Sequence, residues 1–442
     1  MHKNCLVYRL YIERINYFEK SSEILESLYG VTKHKRDMTS NENMKRLIEI
    51  FELDISNLNV IHVAGTVGKG SFCIILDNIL RQANLKTGLF VGPSIEGMND
   101  RIRINGDFIP PERFYHYLKT IVDKINELEI NCIYFEIVTL IALMYFADEG
   151  VDFAIFEVGV GGLYDSTNCF TQKAADVIMK VDYDHQNVLG DTLEEIAFNK
   201  AGIIMPFDTV YVYPQGENVI NVIKDEAEKV DAKVKVLDGK AINVGKTDTE
   251  TEFTYDGKDY SISLAGEFQA KNAAMAVWVA KDLANRFRLD IGEDAIKKGL
   301  SEVKWPCRIE TVKEDPYIII DGAHNEASAA ELKKYLLGLD KKVIMITSFL
   351  KDKDYKKVFE TFDGLDADFI VTSLVYKGRD FEFEKLAEAI GERRGIYFIK
   401  DNKEAYKKAL ELYTDDAVIV VAGSLYLASV FRDLILGLKH YN

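Results

Sequence analysis

Residues 65–71 read Gly65-Thr66-Val67-Gly68-Lys69-Gly70-Ser71, between an apolar run, Val60 to Ala64, and a stretch from Ser71 to Ala83 with helical character. A buried strand that ends in glycines and feeds a helix opens a βαβ unit. The glycines let backbone N–H groups turn toward an anion. The helix start adds the positive end of its dipole, and Lys69 adds a point charge. The segment is therefore expected to cradle phosphates. It is not the common GxxxxGK[ST] string, because Gly70 follows the lysine and the first glycine stands closer.

The alternation continues. Thr87 to Val91, Asp152 to Glu157 and Val177 to Val181 read as strands, and Glu136 to Asp148, apolar all round, as a buried helix. Lys233 to Leu264 changes character: TEFTYDGKDYSISL alternates around Asp256-Gly257, which predicts a small antiparallel region. Helical segments follow over Asn272 to Phe287 and Ile291 to Ser301, and Trp305-Pro306 breaks the pattern. Beyond it the alternation restarts, with strands at Tyr317 to Ile320, Lys342 to Thr347, Phe369 to Thr372 and Ala417 to Val421. Helices are expected at Ser328 to Leu337 and from Gly423-Ser424 to about Leu438. The expected fold class is α/β: a mostly parallel sheet domain carrying the phosphate loop, residues 1–303, and a smaller Rossmann-like α/β domain, residues 304–442.

Composition narrows the function classes. With 48% apolar and 29% charged residues, the chain has material for a sizeable core. Its net charge, 55 − 71 = −16, gives no electrostatic footprint for nucleic acid, so any anion site must be built locally. Arg9, Glu13 and Arg14 break the apolar content of the N-terminal segment, which is not a signal peptide. The longest apolar run, Ile137 to Ala147, is about half a membrane span. Cysteines at 5, 73, 132, 169 and 307 form no CxxC, so neither a zinc ribbon nor a disulfide framework is expected. We expect a cytoplasmic monomer without nucleic-acid or membrane partners.

Several polar residues follow predicted strands, at the edge where α/β sheets bind ligands. Glu157 ends one strand and suits Mg²⁺, which prefers hard oxygen ligands and substrate phosphates. Asp184-His185 follows the next strand, and His185 is a second candidate metal ligand. Asp165-Ser166-Thr167-Asn168 is rich in turn formers and fits a loop over the site. Lys200 lies near a helix end, where spacing alone gives it a favourable dipole interaction. Asp321-Gly322-Ala323-His324-Asn325 is another strand-to-helix turn, and Arg308 has the fork-like donors that suit a phosphate. Two doubly wound units would hold a nucleotide in the cleft between them.

These strings resemble the folylpolyglutamate synthase/dihydrofolate synthase family, within the Mur-type ATP-dependent amide ligases. The resemblance is carried by HVAGTVGKGS, DRIRINGDFI, YFEIVTLIAL, EVGVGGLYDSTN, DHQNVLGDTLEEIAFNKAGI, GEFQAKNAAMAV, WPCRIE, DGAHN, KDKDY and AGSLYLA, in that order from about residue 40 to 435. It implies ATP and Mg²⁺ as cofactors. It also implies an acceptor carboxylate, a dihydropteroate or a folate, activated as an acyl phosphate and captured by L-glutamate. Residue by residue, it implies ATP contacts at Thr66, Val67, Gly68, Lys69, Gly70, Ser71, Asn272, Arg308 and Asp321, and metal ligation by Glu157 and His185. Lys69, Lys200 and His185 become the catalytic set, with Lys200 as a CO₂ adduct. Tyr164, Asp165, Ser166 and Ile133 become substrate contacts, and His324 and Lys351–Asp354 fall in the C-terminal motifs. Three positions depart from the family pattern. Gly92 replaces a metal-binding serine, for which Ser94 is the candidate substitute; Val67 replaces an asparagine; Leu163-Tyr164 replaces an arginine-containing pair. The departures keep open a non-folate carboxylate acceptor, or a nucleotide-binding paralogue without ligase activity.

Overall fold

The computed structural model describes residues 16–26, 41–350, 355–374, 383–391 and 395–438. Cys5, Arg9, Glu13, Arg14 and the Lys351–Asp354 stretch lie outside the described residues. The chain divides into two compact units. One takes the described residues up to Leu237 together with Val279–Ala295; the other takes Asp238–Trp278 and those from Ile296 onward.

The first unit is built on eight strands: β1 (Val60–Ala64), β2 (Thr87–Phe90), β3 (Ile102–Ile104), β4 (Asp107–Phe108), β5 (Phe153–Glu157), β6 (Ala175–Ile178), β7 (Thr209–Val212) and β8 (Lys233–Val236). Their order is β4-β3-β2-β5-β1-β6-β7-β8. From β2 through β5, β1, β6 and β7 to β8 the pairs are parallel, and β3 alone runs against them, antiparallel to both β2 and β4. β1, β2, β5 and β6 are buried throughout, as continuous apolar runs in a sheet covered on both faces should be. Helix Tyr134–Glu149 lies in one core with Phe90, Phe146 and Phe156, which explains its apolar circumference. A second core gathers Ile178, Ile196, Val210, Val219 and Ile223.

Register places the functional edge. Val63 pairs with Glu157, Ala64 with Ile178, and Phe90 with Phe156. In that register Ala64, Gly92, Val158 and Ile178 fall at one level, so β1, β2, β5 and β6 all end at one edge, with Gly65 and Met179 one residue further on.

The second unit has an antiparallel sheet of β9 (Ile242–Val244), β10 (Thr251–Tyr255) and β11 (Lys258–Ile262). Asp256 and Gly257 make its turn at φ 53° and 68°, the left-handed pair that a two-residue hairpin requires. Its other sheet comprises β12 (Glu310–Glu314), β13 (Tyr317–Ile320), β14 (Lys342–Thr347), β15 (Ala367–Val371), β16 (Ile396–Phe398) and β17 (Ala417–Ala422), in the order β12-β13-β17-β14-β15-β16. All its pairs are parallel except β12–β13.

Two expectations are corrected. Lys233–Val236 pairs parallel with β7 at the rim of the large sheet, so the antiparallel region starts only at Ile242. It is the edge strand of that sheet and is nowhere fully buried. The strand expected at Val177 to Val181 is Ala175–Ile178. It stops early because the Lys180 carbonyl and Val181 N–H bond to Thr66 and to the Gln215 side chain rather than to a neighbouring strand. No helix among the described residues is long and apolar enough to cross a membrane.

Candidate active site

β1 delivers the glycine-rich turn to the sheet edge, and helix Lys69–Gln82 departs from it. Gly68, at φ 87°, caps that helix in a conformation that penalises any Cβ. Thr66 and Val67 donate their N–H groups to the Lys180 carbonyl (2.8 and 3.3 Å). The Thr66 hydroxyl donates to the Asp182 carbonyl (2.9 Å) and accepts the Asp182 N–H (3.0 Å). The first half of the turn is thus stitched to the chain leaving β6, and the helix start from Gly68 onward is left to face an anion. Lys69 Nζ donates to the carbonyls of Gly65 (3.0 Å) and Thr66 (3.2 Å) and stands 4.0 Å from Glu157 Oε1.

Gly65 supplies a mutational check on this geometry. Its φ is 147°, and an added Cβ would sit 2.7 Å from the Met179 Cβ. Gly65→Ala is expected to cost about 1–3 kcal/mol through strain and overpacking. A thermal melt should show a Tm lowered by several degrees; an unchanged melt would contradict the close approach of the β1 and β6 exits.

Glu157 is buried at the end of β5, and its Oε2 accepts the Gly92 N–H at 3.0 Å. Position 92 has no room for a side chain as the structure stands: a Cβ there would lie 2.7 Å from Nη1 of Arg101. The Ser94 hydroxyl donates to the Gly97 carbonyl. His185 has left-handed backbone (φ 51°), donates its N–H to Asp184 Oδ1 (2.9 Å), and heads the short helix Gln186–Leu189. Among the described residues, no group of three or more His, Cys, Asp or Glu side chains converges as a metal cage. Mg²⁺ at a nucleotide needs no such cage, because one or two protein carboxylates and phosphate oxygens serve it. The hard oxygens of Glu157 beside Lys69 fit that donor chemistry.

Lys200 ends helix Leu193–Ala201, whose Thr192/Glu195 capping box fixes the other end. The side chain is almost fully buried, and Nζ donates to the Gly65 carbonyl at 2.9 Å. Burial first, and the Lys69 charge second, push its pKa down to about 7, against the opposing pull of Asp184 and Asp165. Two lysines therefore converge on one carbonyl of the phosphate loop, and one of them is poised to shed its proton. Lys200 does stand in the last turn of its helix, as its spacing suggested, but its Nζ is buried against the Gly65 carbonyl.

The 159–168 loop is organised by Asp165. This buried carboxylate accepts N–H groups from Val160 (2.9 Å) and Thr167 (3.0 Å) and the Thr167 hydroxyl (2.7 Å). Ser166 is buried beside it in sequence, whereas Tyr164 is exposed. Ile133 precedes helix Tyr134–Glu149 and donates its N–H to Glu136.

In the second unit, Ile320 pairs with Val421 and Thr347 with Ala422, so Asp321, Ser348 and Gly423 leave the sheet together. Asp321 accepts the N–H groups of Ile309 (2.9 Å) and Ala323 (2.7 Å). Burial raises its pKa, opposed first by the charge of Arg308. Arg308 Nη1 lies 2.7 Å from where a Cβ on Gly322 would stand. His324 Nδ1 is 2.8 Å from the Gly322 carbonyl, and Asn272 donates to Gln269 (3.0 Å). Sequence reasoning missed Lys180, Asp182 and His62, whose roles depend on partners distant in the chain.

The Mur ligase middle domain matches residues 63–280, and the Mur ligase glutamate ligase domain matches residues 307–425. Both parts of the Mur-type ligase architecture are therefore present. A dihydrofolate synthase/folylpolyglutamate synthase from Bacillus subtilis (strain 168) is 31% identical over 409 residues, spanning 88% of this chain and 93% of the relative. The solved structure of Mycobacterium tuberculosis folylpolyglutamate synthase complexed with ADP and AMPPCP superposes with a TM-score of 0.83 at 27% identity, covering 95% of this chain and 98% of that one. A bifunctional folylpolyglutamate synthase/dihydrofolate synthase with Mn, AMPPNP and L-glutamate bound gives 0.80 at 26% identity, over 92% and 96%. The chain belongs to the folylpolyglutamate synthase/dihydrofolate synthase family.

Proposed function

We propose that this chain is an ATP-dependent ligase that joins L-glutamate to the carboxylate of a dihydropteroate or folate acceptor. The observation that carries the reading is the meeting of Lys69 and Lys200 on the Gly65 carbonyl, with Glu157 beside Lys69. The bound nucleotides, Mn and glutamate of the relatives support it.

The helix start at 68–71 and Lys69 hold the triphosphate, with Thr66 and Val67 keeping the loop in shape. An acceptor carboxylate oxygen attacks the γ-phosphorus, and the bond to the β-phosphate oxygen breaks with loss of ADP. The glutamate amine then attacks the acyl carbon; phosphate leaves with that oxygen, and the amine gives up a proton. Such transfers are driven by positioning and by charge placed where charge develops. A bound Mg²⁺ would offset the repulsion between two anions, and Glu157 and His185 are its proposed ligands, with Ser94 as a further candidate. CO₂ capture by neutral Lys200 would turn a buried cation into an anion. Asn272, Arg308 and Asp321 are proposed nucleotide contacts of the second unit, and Tyr164, Asp165, Ser166 and Ile133 are proposed on the acceptor side. A functional division near 303/304 agrees with the two domain matches falling on either side of it. Among the described residues, cysteines 73, 132, 169 and 307 are free and buried, which supports a reducing cytoplasm, and a monomer is proposed.

A second acceptor class is favoured by the altered loops at Gly92–Gly97 and Leu163–Tyr164, which depart from the family pattern. An ADP-release screen with glutamate present separates the two readings. Dihydropteroate or folates should release ADP, whereas release only with unrelated carboxylates would transfer the acceptor to the second class. ADP formation with none of them would defeat ligation. Separately, Glu157→Ala should raise the Mg²⁺ concentration needed for half-maximal activity by roughly 10–100-fold, the range seen for disturbed metal sites. An unchanged Mg²⁺ titration would remove Glu157 from the metal's ligands.

A further inference from the structure

His62 sits in β1 two residues before Ala64 and is fully buried. Its ring meets Phe170 edge-on, 5.7 Å between centroids at 81°. Nε2 lies 2.8 Å from the Thr167 hydroxyl oxygen. That hydroxyl has one proton and donates it to Asp165 Oδ1 at 2.7 Å. The hydroxyl must therefore accept from the ring, which fixes the tautomer with hydrogen on Nε2. Nδ1 is then a buried acceptor, and among the described residues it has no hydrogen-bond partner. An apolar residue in the middle of β1 would avoid that cost. Burial, and next the Lys173 charge, hold the imidazole pKa well below its usual value, so the ring is a fixed neutral donor.

We propose that His62 is a positioning residue for the 159–168 loop: its Nε2–H orients the Thr167 hydroxyl, which holds Asp165 between the acceptor-side residues Tyr164 and Ser166. The acceptor side is taken from the function proposed above; the loop-holding role is not. The relay reaches further, because Asp165 is one of two carboxylates whose field opposes deprotonation of Lys200. His62 thus links the strand that delivers the phosphate loop to the loop that would receive the acceptor.

The test uses the full chain with Thr167→Val, Thr167→Ser, His62→Leu and the Thr167→Val/His62→Leu double variant. Amide hydrogen exchange across 159–168 should quicken about tenfold in His62→Leu, the size expected for one neutral hydrogen bond, and by more in Thr167→Val, which also loses the bond from the hydroxyl to the Asp165 carboxylate. The double variant should add little, Thr167→Ser should stay near wild type, and the helix Lys69–Gln82 should be unaffected. In kinetics the acceptor KM should rise about tenfold, with kcat and the ATP KM within about twofold. Unchanged exchange in Thr167→Val would overturn the proposal. So would equal rises in both KM values, or a lowered Tm without a KM split. If His62→Leu does not fold, Thr167→Val and Thr167→Ser decide alone. If wild type turns over no folate acceptor, the exchange result still decides the loop-holding role, so the two readings fail separately.

Discussion

Lys69→Ala is expected to reduce turnover by roughly 10³-fold while leaving the fold intact. Removing one preorganised donor from a developing charge costs about 10²–10³-fold in kcat, and Lys69 brings a full positive charge. Its Nζ is anchored by the Gly65 and Thr66 carbonyls, with Glu157 4.0 Å away, so it is held in place before nucleotide arrives. The side chain is mostly buried, so the fold of the variant is checked directly. Steady-state ADP formation at saturating ATP, with a melt as control for folding, measures the effect. Wild-type turnover in a folded Lys69→Ala would overturn the phosphate-loop assignment.

Lys200 should make the enzyme sensitive to both CO₂ and pH. Its pKa is lowered to about 7 from the usual 10.5, so the neutral amine that can capture CO₂ grows as pH rises through 7. Activation by added bicarbonate should therefore be weak at pH 6 and strong at pH 8. The stability linkage has the same sign. Between pH 7 and 10.5 the unfolded lysine binds a proton that the folded one has shed, so this site's contribution to stability rises with pH across that window. Lys200→Ala should lose about 10²-fold or more in kcat, the size of a lost preorganised charge. Acetate or a similar short carboxylate should restore part of it by supplying the missing anion. Bicarbonate-independent activity in wild type, together with a Lys200→Ala variant close to wild type, would exclude the adduct role.

The parts of the fold that were legible in sequence are those whose signal is local. β1 and the turn after it announce themselves because a continuous apolar run, three glycines and a lysine lie within about a dozen residues. Asp256-Gly257 is legible for the same reason: two left-handed residues in a row need that chemistry. The order of the strands was not, since β5 inserts between β1 and β2 and β17 between β13 and β14 through long crossovers. Lys233–Val236 was misplaced because a change of composition does not mark which sheet a strand joins, and this one pairs with the β7 strand. Within the candidate site, the place of Glu157 at a strand end was legible, and the structure puts it there. The burial of Lys200 and its bond to the Gly65 carbonyl were not legible, because they depend on residues far away in the chain. The proposal of a CO₂ adduct at that lysine rests on the resemblance to the family and not on spacing.

The most direct test is to follow an oxygen atom. With the acceptor carboxylate labelled with ¹⁸O, capture of the γ-phosphoryl group by that carboxylate requires the released inorganic phosphate to carry one ¹⁸O, and the amide product to retain the other. Mass spectrometry of the phosphate formed from ATP, glutamate and labelled acceptor should show that single label. Unlabelled phosphate alongside amide product would contradict activation of the carboxylate at the 65–71 loop.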